Sequence, residues 1–321
     1  MGIEIFLAYC MDLVLGDPGW MPHPVVGIGK AIEKTEGFLR RYIPIERLAG
    51  IVLLIFVAGS AYILTYLIVF LAKNINETLG MAVSAIIIFT CLSIKTLAKE
   101  AIGVLKALED RNMDLARRRV SRIVGRDTEN LDESGIIRAN VETVAENTVD
   151  GVISPLFYAF IGGAPLAIAY KAVNTLDSMV GYKNERYRNF GWASARFDDL
   201  VNFIPARLAG FLIAISAIFC GLKFRDALAI SFRDGHKHPS PNSGIPEAAY
   251  AGALGVRLGG VNSYQGVVSE KPFIGDKKRE LTLKDIKNAV KLMFVTSLVT
   301  LVFFYSVGIA ILRFFVTLRM T

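Results

Sequence analysis

Ala49-Gly-Ile-Val-Leu-Leu-Ile-Phe-Val-Ala-Gly-Ser-Ala-Tyr-Ile-Leu-Thr-Tyr-Leu-Ile-Val-Phe-Leu-Ala72 contains no charged residue. As a helix, a run of this length crosses the roughly 30 Å of hydrocarbon in a bilayer. Leu292–Leu312 reads the same way. Leu79–Ile94 is shorter but nearly charge-free, and Lys73–Thr78 joins it tightly to the first run, so the two read as a helical hairpin. Phe203–Leu222 is a fourth candidate, with Pro205 and Arg207 in its first turn. Ile3–Leu15 is short and holds Asp12, which makes it a marginal span. Val152–Val173 is apolar but broken by Pro155, Gly162, Gly163 and Pro165. Broken backbone at membrane depth is tolerated only where protein or a water cavity covers it, so this segment reads as a kinked or re-entrant helix. If it and Phe203–Leu222 both crossed, Asn174–Asn202 would be separated from the other polar segments, so at least one is expected not to cross fully.

The bulk numbers agree with this reading. Of 321 residues, 53% are hydrophobic and 20% charged, against roughly 25% charged in an average soluble domain. A soluble globular protein, a disordered chain and a disulfide scaffold are excluded. The formal net charge of +7 reads as basic loops holding the cytoplasmic side of a membrane. No basic stripe with interleaved aromatics suggests nucleic acid. Cys10, Cys91 and Cys220 sit in separate apolar stretches, without metal-type spacing, and read as small hydrophobes. The N-terminus has no basic region ahead of its apolar run, and no cleavable signal is read there. The expected fold is all-α: one polytopic membrane domain over 1–321, with about four to six hydrophobic helices. Polar segments 16–48, 95–151, 174–202 and 223–291 would build the active site, facing the cytoplasm.

Candidate chemistry sits in those segments. Lys95–Gly125 reads as an amphipathic helix, with Leu97, Ala101, Leu105 and Leu108 on one face and Arg117, Arg118, Arg119 and Arg122 following. That basic run suits either anionic headgroups or plain solvent. Ser134 is read as a helix N-cap. Glu142, Glu146 and Asp150 then follow at i, i+4 and i+8, a repulsive arrangement that a cation such as Mg²⁺ would offset. A solvated acidic face partnered by Arg138 is the bland alternative. Lys171, Asn174, Thr175 and Ser178 share a helical face after the broken helix, with Asp177 and Lys183 beside them. Polar groups near membrane depth are functional candidates. Arg196, Asp198 and Asp199 suggest metal binding or ion pairing. Arg233-Asp-Gly-His-Lys-His238-Pro-Ser-Pro-Asn242-Ser243-Gly-Ile-Pro-Glu247 reads as a loop entering a helix over Ala248–Val256. Ser243 and Gly244 would seat a phosphate at that helix start. His236 and His238 lack an obvious third ligand for zinc. Gly259, Gly260, Tyr264 and Gly266 mark a second glycine-rich bend.

Five segments, in order, resemble one family: Leu15-Gly-Asp-Pro18 with Pro22-His-Pro24; Val141-Glu-Thr-Val-Ala-Glu-Asn-Thr-Val-Asp-Gly151; Lys171-Ala-Val-Asn-Thr-Leu-Asp-Ser-Met-Val-Gly181; Phe190-Gly-Trp-Ala-Ser-Ala-Arg196; and His238-Pro-Ser-Pro-Asn-Ser-Gly-Ile-Pro-Glu247. This is the CobD/CbiB type, adenosylcobinamide-phosphate synthase of cobalamin biosynthesis. The resemblance implies an integral enzyme of the cell membrane that uses ATP to join an aminopropanol group to the propionate carboxyl of adenosylcobyric acid. With (R)-1-amino-2-propanol O-phosphate as the amine, the product is adenosylcobinamide phosphate. Fitting the residues to that chemistry, Glu142, Glu146 and Asp150 would hold Mg²⁺. Lys171, Asn174, Lys183, Arg196, Arg233, Asn242 and Ser243 would bind ATP or the amine's phosphate. Asp177, Asp198 or His238 would be the base. Membrane lipid and other corrinoid-pathway enzymes are the expected partners. A secondary transporter also uses broken helices, and a non-catalytic scaffold for corrinoid enzymes is a third class. Few clean spans and long polar segments weigh against the transporter. The density of acid, base and amide residues weighs against the scaffold.

Overall fold

The computed structural model describes residues 2–19, 23–264 and 266–320. In chain order the first helices are α1 (Ile3–Leu15), α2 (Pro24–Tyr42), α3 (Glu46–Ile75), α4 (Glu77–Phe89), α5 (Ile94–Glu109), α6 (Met113–Val120) and α7 (Glu133–Thr148). A π-helical turn over Val149–Ile153 leads into α8 (Ser154–Val180), then α9 (Trp192–Val201), α10 (Phe203–Cys220), α11 (Phe224–Asp234) and α12 (Gly244–Leu254). Strands β1 (Leu258–Tyr264) and β2 (Val267–Ile274) precede α13 (Leu283–Met320). Pro22 of the Pro-His-Pro stretch lies outside the described residues.

The protein is an all-α polytopic membrane protein. Among the described residues, five helical stretches are long and apolar enough to cross a membrane: Glu46–Ile75, Glu77–Glu109, Glu133–Val180, Phe203–Cys220 and Leu283–Ile311. On α3, Ile55, Phe56, Leu64 and Leu71 are all exposed. A contiguous apolar face of that kind suits lipid and not water. At about 1.5 Å per residue, α1 is too short to cross, as its buried Asp12 suggested.

The chain, read from its sequence as one stretch over 1–321, divides into two compact units. The first is Met1–Ser93 with Ser154–Asn202; the second is Ile94–Ile153 with Phe203–Thr321. In the first, Asn76 makes the expected α3–α4 hairpin tight. Its N–H donates to Ala72 O at 3.0 Å, and its side chain accepts from Thr78 N at 2.7 Å. One residue thus ends one helix and caps the next. The core around Ile32, Leu53, Leu176 and Phe190 joins α2, α3 and α8. Gly50 is required there, because a Cβ would meet the Phe190 carbonyl oxygen at 1.9 Å. The kink expected in α8 falls at Gly162 and Gly163, with Gly163 at φ 65°, a left-handed conformation that favours glycine. Pro165 follows and has no N–H to donate.

In the second unit, the expected single helix over Lys95–Gly125 is two. Arg111 takes a left-handed φ of 55°, and Asn112 caps α6 by accepting from Leu115 N at 3.0 Å. The apolar face of Leu97, Ala101, Leu105 and Leu108 is buried as read. Helix α7 is capped by Asp132, which accepts from Gly135 N at 2.7 Å, and not by Ser134. The small residues of α12 pack within the chain: a Cβ on Gly252 would lie 2.3 Å from Asp226 O of α11. The second glycine-rich bend is an antiparallel β-hairpin, with a bulge between Leu258 and Gly260. Gly259 and Gly260, at φ 81° and 92°, supply that irregularity.

Candidate functional site

The densest polar cluster lies inside the second unit, where α7, the loop 235–243, α12 and the β-hairpin meet. Glu142 is buried on α7. It accepts the Arg126 guanidinium and the Gly259 N–H, the latter at 2.8 Å. Arg126 also donates to Asn262 Oδ1 at 2.5 Å. Arg138, one turn before Glu142, donates to the carbonyls of Gly259 and Val261 at 2.6 and 2.9 Å. These charge-assisted bonds fasten β1 to α7.

One turn further along α7, Glu146 accepts the Ser243 hydroxyl at 3.0 Å. The start of α12 therefore holds a carboxylate of the protein itself where a phosphate was expected, as the helix dipole favours. Asn242 likewise is engaged, accepting from Arg207 Nη1 at 2.7 Å. The loop before α12 is closely packed, for a Cβ on Gly244 would meet Gly235 O at 2.2 Å.

Glu247, in the first turns of α12, is 2% exposed. Burial, with Glu142 and then Glu146 nearby, pushes its carboxyl well above the usual range, against the pull of Lys271 and Arg126. His238 Nε2 lies 3.7 Å from Glu247 and 3.0 Å from Lys271 Nζ. His238 Nδ1 accepts the Ser240 N–H at 3.0 Å, which assigns the neutral ring's proton to Nε2. Burial, and then Lys271, bring His238 down to about 4. An imidazole, a carboxyl and an amine thus surround one proton position. Sequence reading missed Glu247, Arg126 and Lys271 as site residues. Glu247 carried a signal: it is the only charge in Gly244-Ile-Pro-Glu-Ala-Ala-Tyr-Ala-Gly-Ala-Leu254.

The geometry bears on several of the expected roles. Among the described residues no three His, Cys, Asp or Glu side chains are grouped to hold a metal ion. Glu142, Glu146 and Asp150 do not form a cage: Asp150 falls in the π-helical turn, which breaks the i, i+4, i+8 register, and Glu142 is taken by Arg126 and Gly259. These residues do not fit a protein-built Mg²⁺ site, and the His236/His238 pair forms no zinc site. Arg233 is also engaged. It donates to Asp234 at 2.8 and 2.7 Å and to Asp276 at 2.9 Å. Asp234 accepts Gly275 N at 2.9 Å as well, and chiefly Arg233 holds its carboxyl well below the usual range. Arg233 is a clamp, not a free phosphate ligand.

The remaining predicted residues, Lys171, Asn174, Asp177, Lys183, Arg196 and Asp198, lie in the first unit. On α8, Thr175 and Ser178 donate back to the Lys171 and Asn174 carbonyls at 2.7 and 2.9 Å. Part of the polar face therefore serves the helix itself. Asp177 ends α8 with its carbonyl accepting Gly181 N at 2.7 Å. Asp198 accepts Asn202 Nδ2 at 3.1 Å, and Asn202 Oδ1 receives Ser154 and Tyr170 at 2.7 and 3.0 Å. Arg196 lies 4.0 Å from Asp199.

Comparison with known proteins agrees with the motifs. The family described as CobD/Cbib protein matches residues 5–293. A cobalamin biosynthesis protein CobD of Geobacter metallireducens is 53% identical over 293 residues, covering 91% of this chain and 92% of its own. A CobD of Clostridium perfringens is 47% identical over 94% of this chain and 96% of its own. A cobalamin biosynthesis protein CbiB of Salmonella choleraesuis is 46% identical over 93% and 94%. No solved structure matches the chain. With a family match across nearly the whole sequence and relatives at this identity, the chain belongs to the CobD/CbiB family.

Proposed function

We propose that this protein acts in cobalamin biosynthesis as an ATP-dependent ligase of the cell membrane, with its polar site on the cytoplasmic side. It would join (R)-1-amino-2-propanol O-phosphate, or aminopropanol, to the propionate carboxyl of adenosylcobyric acid. The single observation that supports a catalytic role is the buried Glu247 with the half-buried His238 and Lys271 beside it, close to two further carboxylates. Buried ionisable groups with displaced proton affinities, gathered without full mutual compensation, mark sites of proton chemistry.

The chemistry sets the requirements. A carboxylate resists attack by an amine. Transfer of the γ-phosphoryl group of ATP to the propionate oxygen gives an acyl phosphate and ADP. The ammonium gives up one proton to become a nucleophilic amine, the amine attacks the acyl carbon, and as the C–O bond to phosphate breaks the second proton leaves with it as hydrogen phosphate. A general base for the first proton needs an affinity near the working pH. Glu247, raised by burial and by its neighbours, meets that need better than Asp198, whose Oδ2 accepts the Asn202 amide. His238, neutral with its proton on Nε2, would turn that N–H toward the Glu247 carboxylate and position it, with Lys271 adjacent. Lys171, Asn174, Lys183 and Arg196, in the first unit, keep the proposed role of binding phosphate. Asp177 is the weaker candidate for a base, and no step is assigned to Mg²⁺.

The test is ADP release by purified protein in detergent with adenosylcobyric acid, aminopropanol phosphate, ATP and Mg²⁺, each omitted in turn. The expected result is ADP formed only with all components present, matched by conversion of the corrinoid. A folded protein that binds the corrinoid and forms neither product would sink the ligase reading.

A further inference from the structure

A cleft of about 920 Å³ opens in the second unit between the end of α6, the segment 126–131 and the face of β1 and β2. The function proposed above leaves it without a role. Its floor and rim combine two kinds of surface. Arg117 and Arg118 line it with Ser121 and Asn130, and Leu131, Val261 and Val268 provide an apolar side.

The basic run on α6 is not one solvated face. Arg122 turns away to Glu100 of α5 at 3.4 Å. Arg119 runs against α5, where a Cβ on Gly103 would lie 2.3 Å from its Nη1. Arg126 lines the cleft but is neutralised by Glu142. Arg117 and Arg118 are what the cleft offers to an anion. Arg117 is oriented by its Nε bond to Leu131 O at 3.0 Å and reaches the exposed Asp114 at 3.5 Å, a solvated pair that an incoming polyphosphate can displace. Asp127, also lining the cleft, is occupied by the Ser263 hydroxyl and the Gly266 N–H at 2.6 and 2.8 Å. Glu129 is exposed in solvent at the rim, where its repulsion is screened.

We propose that this cleft binds a nucleoside triphosphate, with Arg117 and Arg118 on the polyphosphate and the Leu131–Val261–Val268 side against the base. Guanidinium groups suit phosphate oxygens through paired N–H donors. The apolar side suits a flat ring, and the volume exceeds what a small phosphorylated amine fills. The inference rests on the ligase reading for the need of ATP, but its geometry is independent of the Glu247 cluster.

The test is a titration of the full-length protein, in discs of neutral lipid, with the fluorescent nucleotide MANT-ATP. Arg118→Glu and Arg118→Ala are compared with Arg225→Glu, an exposed residue of α11. The expected outcome is a Kd weakened about tenfold or more by Arg118→Glu and several-fold by Arg118→Ala, with Arg225→Glu unchanged. ATP should displace the probe, and aminopropanol phosphate and inorganic phosphate should not. Equal affinity in Arg118→Glu and Arg225→Glu would overturn the proposal, as would displacement by aminopropanol phosphate alone. An effect of Arg118→Glu confined to binding of anionic vesicles would overturn it too, and assign the run to lipid. ADP release with an unchanged KM for ATP in Arg118→Glu defeats the cleft and leaves the ligase standing. Arg118-dependent MANT-ATP binding without ADP release from the complete substrate mixture does the reverse.

Discussion

Glu36 in the first unit and Glu247 in the second are both buried, and the two are treated differently. In the first unit, Glu36 of α2 accepts Arg40 Nε at 2.9 Å, Arg186 Nη2 at 3.1 Å and Tyr187 OH at 3.4 Å. Arg40 in turn lies over the Phe190 ring at 4.1 Å, so charge and packing close around one carboxylate. In the second unit, Glu247 is more deeply buried, with the His238 ring 3.7 Å away, and the pull of Lys271 and Arg126 on its charge is weaker than the push of its neighbouring carboxylates. Glu142 and Glu146 stand close enough to raise its proton affinity. A buried carboxylate kept for structure is compensated by cations. One that is left among its own kind keeps its proton chemistry available. Burial alone would not have separated the two.

The largest test of that contrast is Glu247→Gln. It removes the proposed base while keeping shape and hydrogen-bonding capacity. Turnover should fall about 10²–10³-fold, with no loss of melting temperature, because a source of like-charge repulsion has gone. Near-wild-type turnover would place Glu247 with Glu36 among structural residues.

Titration sharpens the comparison next. The folded state depresses His238 from 6.5 to about 4, so the native protein binds fewer protons than the unfolded chain between those values. The stability tied to neutral His238 is present above pH 6.5 and drains away as pH falls toward 4, on the order of 3 kcal/mol. His238→Gln should flatten the acid limb of a plot of melting temperature against pH. Glu247 has the opposite sign. Its raised folded affinity contributes stability below its ordinary value of 4.5, and this is lost as pH rises. Glu247→Gln should flatten the decline above that point and leave the acid limb of His238 in place.

Glu36→Gln should show the reverse of Glu247→Gln. It leaves Arg40 and Arg186 facing a neutral amide, at a cost of about 1–3 kcal/mol, partly offset because Arg186 is mostly exposed. Melting temperature drops while kcat of the folded protein holds. A loss of kcat at unchanged stability would assign Glu36 to the chemistry and dissolve the contrast.

What the sequence revealed follows the range of the interactions involved. The spans were legible because continuous apolar runs have only one solvent to suit. The kink at Gly162–Gly163 and the helix after Pro246 follow from the backbone limits of glycine and proline. The β-hairpin was hidden, because its glycine-bearing strand is held by Arg138 and Glu142, more than a hundred positions earlier. The i, i+4, i+8 spacing of Glu142, Glu146 and Asp150 assumed an α-helical register, which the chain leaves at the π-helical turn holding Asp150. His238 was found from its loop, whereas Lys271 was not, since a lysine on a short strand looks like any surface charge until the fold turns it inward.

The smallest expected effect bears on whether the first unit supplies chemistry as well as structure. Arg196 is exposed, with its side chain 71% accessible and Asp199 no nearer than 4.0 Å. An ion pair of that kind contributes about 0.5 kcal/mol or less, so Arg196→Ala should barely move the melting temperature. Its proposed phosphate-binding role makes a separate demand: the KM for aminopropanol phosphate should rise several-fold while that for aminopropanol, which has no phosphate to hold, stays level. If both KM values stay at wild type, Arg196 is a solvated charge. Then the buried cluster of the second unit carries the polar chemistry without it.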